Sequence, residues 1–574
     1  MDPQTGAVFG APRVGGSHTV WVTVGDAAGH YAGMQRHLEV DPNLEILPPG
    51  RVGVTYSYRL AARVGQAVIW TDTTPLPDGL VLDHDTGRLH GSPLRAGDAE
   101  FSVVVLGRDD QRVDKRRLRL HVAARQRAEE PEVHVIGDAN DWTGFSTSPA
   151  GDMDADGRDD YLVGAPGLFS DNHPGRVHVV SGGTEWGSAN LEGTLSAWGE
   201  TAGDGAGWAV ADVGDFNGDG QPDVVVGAPF SDAAGPSAGA AYILYGPVTA
   251  SLPLLQAGVR LYGESPGDLA GWSVSGARDV NGDGLDDVIL GAPGSDRGGV
   301  DAGAAYVIFG RRGFRGRIDL ADADIIYEGT TPGERVGHDV AEVGNLAGDD
   351  LLDFVITAGS SPDASDGDGE ANGEVPTAAY VVSSGARGSV RLEDDTLRII
   401  REAIVARSGF DVAGPMDLNG DGASDLVLAG QLEERGRTVM AVTVFYGPLT
   451  DSLKLGDAAY KLTTVRASAT LSVDLAGDVN GDGFEDLVVG DGYGSTTPSK
   501  VGAGAAYLVF GPFGEGTEDL TTGGVRIAGD AHGAHVGFAV AGVGDSNDDG
   551  FDDVLVGAPS ESGQGRAWLY LGGE

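Results

Sequence analysis

The sequence contains no cysteine, few aromatic residues and no long apolar run. Without cysteine, neither disulfides nor thiolate metal sites can form. Aromatic residues make up 7% of the chain, and no stretch approaches the roughly 18 apolar residues needed to span a bilayer. Basic residues are also scarce, because 38 Lys and Arg face 86 Asp and Glu, a formal net charge of -48. This balance argues against nucleic acid and anionic membrane surfaces as partners and favours divalent cations.

Glycine and short apolar runs are plentiful instead. The chain has 95 glycines in 574 residues, more than double the usual share, which is typical of a protein full of turns. Hydrophobic residues make up 41% of the chain, too many for an acidic disordered protein. The length indicates several domains or one large closed array.

One motif, Asp-x-Asx-x-Asp-Gly-x-x-Asp, recurs along the C-terminal three-quarters of the chain. A degenerate copy that begins at Asn345 fills the one gap in the series. Successive starts are separated by 63, 64, 66, 72, 61 and 67 residues. One acidic loop per unit at a nearly fixed period predicts a repeat array. Loops 1 to 7 are, in chain order, residues 152–160, 215–223, 279–287, 345–353, 417–425, 478–486 and 545–553.

Each intact loop offers the oxygen atoms that calcium prefers. Calcium takes six to eight oxygen ligands at roughly 2.3–2.6 Å. In loop 3, the side chains of positions 1, 3, 5 and 9 and the backbone carbonyl of position 7 supply them: Asp279, Asn281, Asp283, Asp287 and Leu285. Gly284 at position 6 permits the sharp turn. An EF-hand is excluded, because position 12 is Val or Leu in an apolar strand rather than Glu.

The same five positions give the predicted ligands of all six intact loops. We expect about six calcium sites, with loop 4 empty or weak because Ala347 removes a ligand and Asp350 replaces the turn glycine. The alternative is a set of Asx-rich turns without metal, which is common for a single such loop. The predicted ligands are Asp152, Asp154, Asp156, Arg158, Asp160, Asp215, Asn217, Asp219, Gln221, Asp223, Asp279, Asn281, Asp283, Leu285, Asp287, Asp417, Asn419, Asp421, Ala423, Asp425, Asp478, Asn480, Asp482, Phe484, Asp486, Asp545, Asn547, Asp549, Phe551 and Asp553.

The pattern within each unit predicts four short strands. In the second unit, residues 207–211, 224–229 and 239–246 are separated by turn residues, and 254–261 is a candidate outer strand. Residues 224–226 are apolar without alternation, so this strand should be covered on both faces. Helical repeats are excluded, because Gly and β-branched residues fill the would-be helix interiors. Seven such units predict an all-β, seven-bladed β-propeller.

The two ends of the array predict ring closure. The seventh unit ends with residues 567–571 and has no outer strand of its own. Residues 132–136, Glu-Val-His-Val-Ile, precede the first unit and read as a strand with no other use. We expect this segment to complete the seventh blade, because the pairing removes an exposed edge.

These units resemble the FG-GAP repeats of integrin α-subunit propellers. Gly-Trp or Gly-Phe precedes the acidic loops at 207–208, 271–272, 409–410 and 537–538, and Gly-Ala-Pro follows at 164–166, 227–229, 291–293 and 557–559. The resemblance covers about residues 131–574 and implies a calcium-binding propeller of the kind that mediates extracellular adhesion. Such repeats also occur beside a phospholipase domain, so the resemblance implies the fold more firmly than the function.

Residues 1–124 predict units of a different kind. Gly10-Ala-Pro matches Gly91-Ser-Pro, and Gly16 matches Gly97, at an offset of 81, with alternating apolar residues after both. Residues 76–93 resemble the Ig-like, dystroglycan-type cadherin-like β-sandwich modules of bacterial surface proteins. The expected domains are a truncated Ig-like module at 1–40, a complete one at 41–124, a linker at 125–131 and the propeller at 132–574. Any export signal is then expected upstream of Met1.

Candidate catalytic groups are weak. Residues 235–239 match Gly-x-Ser-x-Gly, but they lie between predicted strands without the strand–turn–helix context of a nucleophile elbow. His532 and His535 are spaced like a metal pair, yet their Gly/Ala-rich loop offers no third ligand. We therefore expect no enzymatic activity, no catalytic residues and no organic cofactor.

The sequence thus favours a calcium-stabilised protein of bacterial origin, located outside the cell or at its surface. Its propeller is expected to bind an extracellular protein or glycan, with no nucleic acid and no insertion into the membrane. The alternative is the non-catalytic binding region of a larger secreted hydrolase. A purely structural stalk or surface-layer protein is a third interpretation. A catalytic domain upstream of Met1 would favour the hydrolase, and further Ig-like units would favour the adhesion protein.

Overall fold

The computed structural model divides into two compact units, Met1–Arg127 and Ala128–Gly573. In the first unit the structure describes residues 16–25, 31–40, 44–46, 50–51, 56–59, 69–72, 76, 80–82, 88–91, 97–106 and 112–123. In the second it describes 133–573 apart from residues 139, 168–172, 183–187, 191–193, 350, 360–377, 393–396, 401–410, 435–436, 465–470, 496–499 and 548.

The described part of the N-terminal unit is built of strands. They are β1 Gly16–Gly25, β2 Tyr31–Val40, β3 Leu44–Ile46, β4 Gly50–Arg51, β5 Tyr56–Arg59, β6 Ile69–Asp72, β7 Leu80–Leu82, β8 Arg88–Gly91, β9 Gly97–Leu106 and β10 Arg112–Ala123. One sheet has the order β3-β10-β9-β6, another β5-β8-β7, and β1 pairs with β2. The antiparallel pair β1–β2 begins 81 residues before the equivalent pair β9–β10, so the sequence offset extends to strand pairing. The Ig-like assignment of this unit stays a prediction.

The second unit contains 34 strands among its described residues. The first seventeen are β11 Val133–Ile136, β12 Ser146–Gly151, β13 Asp160–Ala165, β14 Arg176–Val180, β15 Ser188–Asn190, β16 Leu195–Trp198, β17 Val210–Gly214, β18 Asp223–Ala228, β19 Ala240–Tyr245, β20 Leu252–Pro253, β21 Val259–Tyr262, β22 Val274–Arg278, β23 Asp287–Ala292, β24 Ala304–Ile308, β25 Gly316–Asp319, β26 Ile325–Glu328 and β27 Val336–Glu342. The others are β28 Asp353–Ala358, β29 Ala378–Ser383, β30 Gly388–Arg391, β31 Arg398–Ile400, β32 Asp411–Met416, β33 Asp425–Glu434, β34 Arg437–Phe445, β35 Leu453–Lys454, β36 Tyr460–Thr464, β37 Ser472–Gly477, β38 Asp486–Asp491, β39 Ala505–Val509, β40 Gly516–Asp519, β41 Val525–Ala528, β42 Val540–Gly544, β43 Asp553–Ala558 and β44 Arg566–Tyr570.

These strands form the seven blades of a β-propeller, which confirms the predicted fold of this unit. From inner to outer edge, blades 1 to 7 are β12-β13-β14-β16-β20, β17-β18-β19-β21-β25, β22-β23-β24-β26-β30, β27-β28-β29-β31-β35, β32-β33-β34-β36-β40, β37-β38-β39-β41 and β42-β43-β44-β11-β15. The four inner strands of each blade are antiparallel, as in β17 to β21.

A fifth, parallel strand at the outer edge of a blade comes from the next blade along the chain. For example, β20 pairs with β16, and β25 pairs with β21. The predicted outer strand 254–261 was therefore wrong in its bounds. Residues Leu252–Pro253 pair with blade 1, and a 3-10 turn follows at Leu254–Gln256. The fourth strand of blade 2 is β21. Pairing with the neighbouring blade, rather than local periodicity, determines how residues 252–262 divide into two strands and a turn.

Apolar residues pack between every two neighbouring blades. In six blades the second strand is buried along its whole length, as predicted for β18, because both of its faces meet a neighbour. In blade 5 the corresponding buried stretch of β33 is Asp425–Gly430. Between blades 1 and 2, for instance, Val177 packs with Tyr242 and Leu254. Full burial of each such side chain contributes about 1.5–3 kcal/mol, so stability is spread over all seven interfaces.

The ring closes as the sequence predicts. Strand β11 pairs antiparallel with β44, with Val133 opposite Leu569 and Ile136 opposite Arg566. Val135 is fully buried in the cluster between blades 7 and 1. Strand β15 then adds to β11 in parallel. The seventh blade is thus completed from the N-terminal side of the array.

Helices play little part in the described residues. They are the 3-10 turns Leu254–Gln256, Leu320–Asp322, Leu455–Asp457 and Glu561–Gly563. No described helix has the length and apolar character needed to cross a membrane.

The interface between blades 7 and 1 contains a histidine without hydrogen-bond partners. His178 is opposite Val163 in the register of β13 and β14, at the position that Tyr242 occupies in blade 2. The Tyr242 hydroxyl donates to Glu200 at 3.1 Å, whereas both ring nitrogens of His178 are buried and unpartnered. Burial, reinforced by Arg176, lowers the pKa of His178 to about 3.

We predict that His178 makes the closure interface sensitive to acid. The unfolded chain takes up a proton at this residue below its ordinary pKa of about 6.5, and the folded chain does so only near pH 3. The free energy of unfolding should therefore decrease as the pH is lowered from about 6.5 towards 3. At pH 5 the decrease should be about 2 kcal/mol. Denaturant unfolding at pH 7.5 and pH 5 should show a smaller loss for His178→Phe than for the parent. Equal losses would contradict this account.

A second prediction concerns closure. Removal of residues 1–137 takes away β11 and leaves β44 with an unpaired edge, so this variant should aggregate or melt early. Removal of residues 1–125 leaves β11 in place and is the matched control, which should be soluble and cooperative. Size-exclusion chromatography and thermal melting compare the two. If both variants behave alike, the β11–β44 pairing does not hold the ring together.

Candidate metal centres

The seven acidic loops occupy equivalent positions in the seven blades. Each loop leaves the end of an innermost strand and leads into the buried second strand, as loop 2 connects β17 to β18. Because the innermost strands run in the same direction around the ring, all seven loops lie at the same end of their blades. The closed array therefore places them on one face of the propeller.

The six intact loops share three internal hydrogen bonds. In loop 3, Asp279 accepts the N–H of Asp283 at Oδ1 (2.9 Å) and the N–H of Gly284 at Oδ2 (2.8 Å), and Asp283 accepts the N–H of Leu285 (3.0 Å). The same three bonds recur in loops 1, 2, 5, 6 and 7. Positions 1 and 5 are thus fixed by the backbone, and carboxylate oxygens keep free lone pairs for a cation.

Loop 1 brings three carboxylates together. Asp152, Asp154 and Asp156 each offer an oxygen, and these oxygens lie within 4.8 Å of one another. Oxygens at such spacing can share one hard cation. The other intact loops have Asn at position 3, which supplies an amide oxygen in place of a carboxylate. The predicted ligands at positions 1, 3 and 5 therefore converge in loop 1.

Position 9 has a different environment. Asp287 is fully buried, and its two oxygens accept the N–H groups of Val280 (3.1 Å) and Gly310 (2.7 Å). It joins the loop to the end of the third strand. In loop 1 the equivalent Asp160 accepts N–H groups from Asp154 and Gly182 and is not part of the converging carboxylate group. Position 9 is thus a buried structural anchor directly behind the loop.

Burial makes the charge at position 9 costly. It raises the pKa of Asp160, Asp223 and Asp287 to about 7 and that of Asp425 and Asp553 to about 6. Carboxylates of the same loop raise these pKa values further: Asp154 acts on Asp160, Asp219 on Asp223 and Asp283 on Asp287. The backbone N–H bonds lower them. A cation in the loop would favour the ionised form.

Loop 4 keeps two of the shared hydrogen bonds but lacks the position 3 ligand, which is replaced by Ala347. Asn345 accepts the N–H of Asp349 at 3.0 Å, and Asp349 accepts the N–H of Leu351 at 3.0 Å. One buried oxygen of Asp353 has no hydrogen-bond partner. The loop conformation therefore follows from its own hydrogen bonds and does not require the full set of metal ligands.

The other candidates from the sequence lie apart from the loops. Ser237 is in the connection between β18 and β19, where its N–H donates to Asp232 at 2.8 Å. His535 contacts the Ser560 hydroxyl at 3.2 Å and packs against Tyr493. His532 is exposed in the same connection before β42.

An aromatic belt, formed by Phe538, Phe145, Trp208, Trp272 and His338, lies at the opposite end of the innermost strands. Successive ring centroids from Phe538 to Trp272 are 4.9, 4.8 and 4.6 Å apart, and His338 follows at 6.1 Å. The rings are half-buried and cross blades 7, 1, 2, 3 and 4. The Gly-Trp and Gly-Phe pairs of the FG-GAP pattern contain most of these aromatic residues, but the pattern alone does not predict that their rings contact one another.

Comparison with known proteins matches this architecture. The FG-GAP repeat family matches residues 206–244, 270–308, 471–509 and 536–570, within blades 2, 3, 6 and 7. Integrin alpha-3 of Mus musculus is 37% identical over 110 residues, 19% of this chain and 10% of the integrin. Integrin alpha-M of Mus musculus is 38% identical over 152 residues, 25% of this chain and 12% of the integrin.

A third relative is an enzyme. Phosphatidylinositol-glycan-specific phospholipase D of Bos taurus is 30% identical over 182 residues, 29% of this chain and 21% of the enzyme. The matches thus span about a tenth to a fifth of the length of these relatives. The second unit of this chain is thus a seven-bladed β-propeller with FG-GAP repeats in four of its blades, and it is similar to integrin α-subunits.

Proposed function

We propose that this chain is a calcium-binding extracellular protein whose propeller binds a protein or glycan partner, as in adhesion. The observation that carries the proposal is the set of hydrogen bonds shared by the six intact acidic loops. In loop 1 these bonds accompany three carboxylates whose oxygens lie within 4.8 Å of one another. The resemblance to integrin α-subunits supports the extracellular, adhesive role.

The residues present fit calcium. Positions 1, 3 and 5 supply side-chain oxygens, position 7 supplies its carbonyl, and the position 9 carboxylate lies behind them in all six loops. This donor set consists of oxygen alone, which suits a hard cation, and the chain has no sulfur ligand of the cysteine type. A bound ion would offset the repulsion among carboxylates that the loop fold brings together. The chain's own hydrogen bonds would hold those oxygens in place.

We propose the face with the aromatic belt as the partner surface. Half-buried Trp and Phe side chains are enriched at the centres of protein interfaces. Trp208 and Trp272 lie at the end of the blades away from the metal loops, so partner and calcium would use opposite faces. The N-terminal unit would serve as an Ig-like spacer, with the domain bounds predicted above.

A second function is supported by the phospholipase D relative. The propeller would then be the non-catalytic binding region of a larger secreted hydrolase. The sequence of the gene upstream of Met1 separates the two proposals, because a hydrolase domain there supports the second and further Ig-like modules support the first.

Calcium should raise the melting temperature of the propeller without changing its fold. A site at tenfold saturation contributes about 1.4 kcal/mol, and six independent sites about 8 kcal/mol. Thermal melting in millimolar calcium and in excess chelator measures the difference, and circular dichroism checks the fold. An unchanged melting temperature would contradict calcium binding.

Two position 5 variants form a matched pair. Asp283 in loop 3 and Asp349 in loop 4 are both exposed and both accept the N–H of position 7 at 3.0 Å. Asp283→Ala should lose at least about one-sixth of the calcium-dependent stabilisation, whereas Asp349→Ala should lose none. Equal losses would show that loop 4 binds the ion as loop 3 does.

The partner role is tested with the full chain as bait on extracellular matrix and glycan arrays. We expect retention of a partner in calcium, reduced retention in chelator, and loss in Trp272→Ala, which shortens the aromatic belt but leaves all metal loops intact. A partner that binds Trp272→Ala and the parent equally would rule out the belt as the binding surface.

A further inference from the structure

Position 8 of a metal loop lies against the preceding loop of the ring. In loop 3 this residue is Asp286, whose Oδ2 accepts the N–H of Asp215 at 2.7 Å. The N–H of Asp286 donates in return to the carbonyl of Asp215 at 3.3 Å. Asp552 of loop 7 makes the same two bonds with Asp478 of loop 6, at 2.7 and 3.3 Å. We call these two arrangements the cross-blade bond pairs.

The backbone before each accepting loop makes room for the carboxylate. Gly214 and Gly477 precede position 1 and have φ of +81° and +72°, values that favour glycine. A Cβ at either position would collide with the carboxylate of Asp286 or Asp552. Glycine and aspartate thus form a matched set at two separate places in the ring.

Two other interfaces lack this arrangement. Position 8 is Pro222 in loop 2 and Leu352 in loop 4, and neither side chain can accept an N–H bond. The backbone contact between loop 1 and blade 2 is nevertheless present, because the N–H of Val248 donates to Met153 at 2.7 Å. The equivalent contact between loop 2 and blade 3 joins Arg311 to Phe216 at 3.0 Å. The pair of loops 1 and 2 has the same backbone contact as loops 2 and 3 but lacks the aspartate acceptor. It therefore serves as a control for the effect of Asp286.

We propose that Asp286 and Asp552 are positioning residues that couple cation binding in loop 2 to loop 3, and in loop 6 to loop 7. The inference rests on the proposed calcium function. Asp286 stands between Leu285 and Asp287, which are positions 7 and 9 of loop 3. An ion in loop 3 would fix this segment and, through Asp286, the backbone of Asp215, which is position 1 of loop 2.

The coupling acts in both directions. An ion in loop 2 orders Asp215 and, through the same two bonds, Asp286 in loop 3. Equilibrium coupling between two binding sites is reciprocal and commonly changes affinity by about 5- to 150-fold. Loops 1 and 2 should lack this coupling, since Pro222 offers no acceptor.

The test uses terbium as a luminescent substitute for calcium in the full chain. Gln221→Trp places an antenna at position 7 of loop 2, and Arg158→Trp does so in loop 1; both leave the ligand carbonyl in the backbone. Tryptophan-sensitised terbium luminescence then reports the affinity of one loop at a time. Asp283→Ala silences loop 3, and Asp219→Ala silences loop 2.

Silencing loop 3 should weaken terbium binding at loop 2 by about fivefold or more. In the Asp286→Ala background the same silencing should have no further effect, whereas Asp286→Asn, which keeps an oxygen acceptor, should preserve most of the coupling. Silencing loop 2 should leave loop 1 unchanged. Calcium competition checks that the ions share the sites.

Three results would overturn the inference. The first is a loop 2 affinity that is the same with and without loop 3. The second is coupling that survives in Asp286→Ala, and the third is coupling between loops 1 and 2 as strong as that between loops 2 and 3. Absence of sensitised luminescence at both antennas would instead overturn the proposed metal function, and the inference with it.

Discussion

The pairing of β11 with β44 is the constraint on which the propeller depends. Four residues from the N-terminal side of the array complete the last blade, and every blade then has a neighbour on both sides. In such a closed ring the apolar residues of every second strand are covered on both faces, because an open array would leave one face of its first and last blades exposed. In the closed ring, the acidic loops lie at one end of the innermost strands and the aromatic belt lies at the other.

The acidic loops combine local and shared stabilisation. Position 1 and position 5 carboxylates bond to the backbone of their own loop, so degenerate loop 4 retains the same turn with Asn345. Position 9 joins the loop to the third strand through a buried carboxyl group. Neighbouring blades add bonds from outside, most directly through Asp286 and Asp552. A cation would thus enter an arrangement that the protein already holds, which lowers the ordering cost of binding.

Much of this fold could be predicted because its signals are local and repeated. The acidic motif fixed the number of units even where Gly-Ala-Pro is lost, and the strand at 132–136 was recognisable because it had no partner nearby. The fifth strands could not be predicted, since a two-residue segment such as Leu252–Pro253 has no periodicity and pairs with another blade. The role of Asp286 was also hidden. Its position in the motif is variable, and its meaning depends on Gly214 in the preceding unit.

The most direct test of calcium binding on a closed ring is anomalous diffraction from crystals grown with calcium and then soaked in terbium. We expect six strong peaks on one face of the propeller, each among positions 1, 3 and 5 of an intact loop, and none in loop 4. Peaks distributed elsewhere on this acidic surface, or an equal peak beside Asn345, would contradict the account.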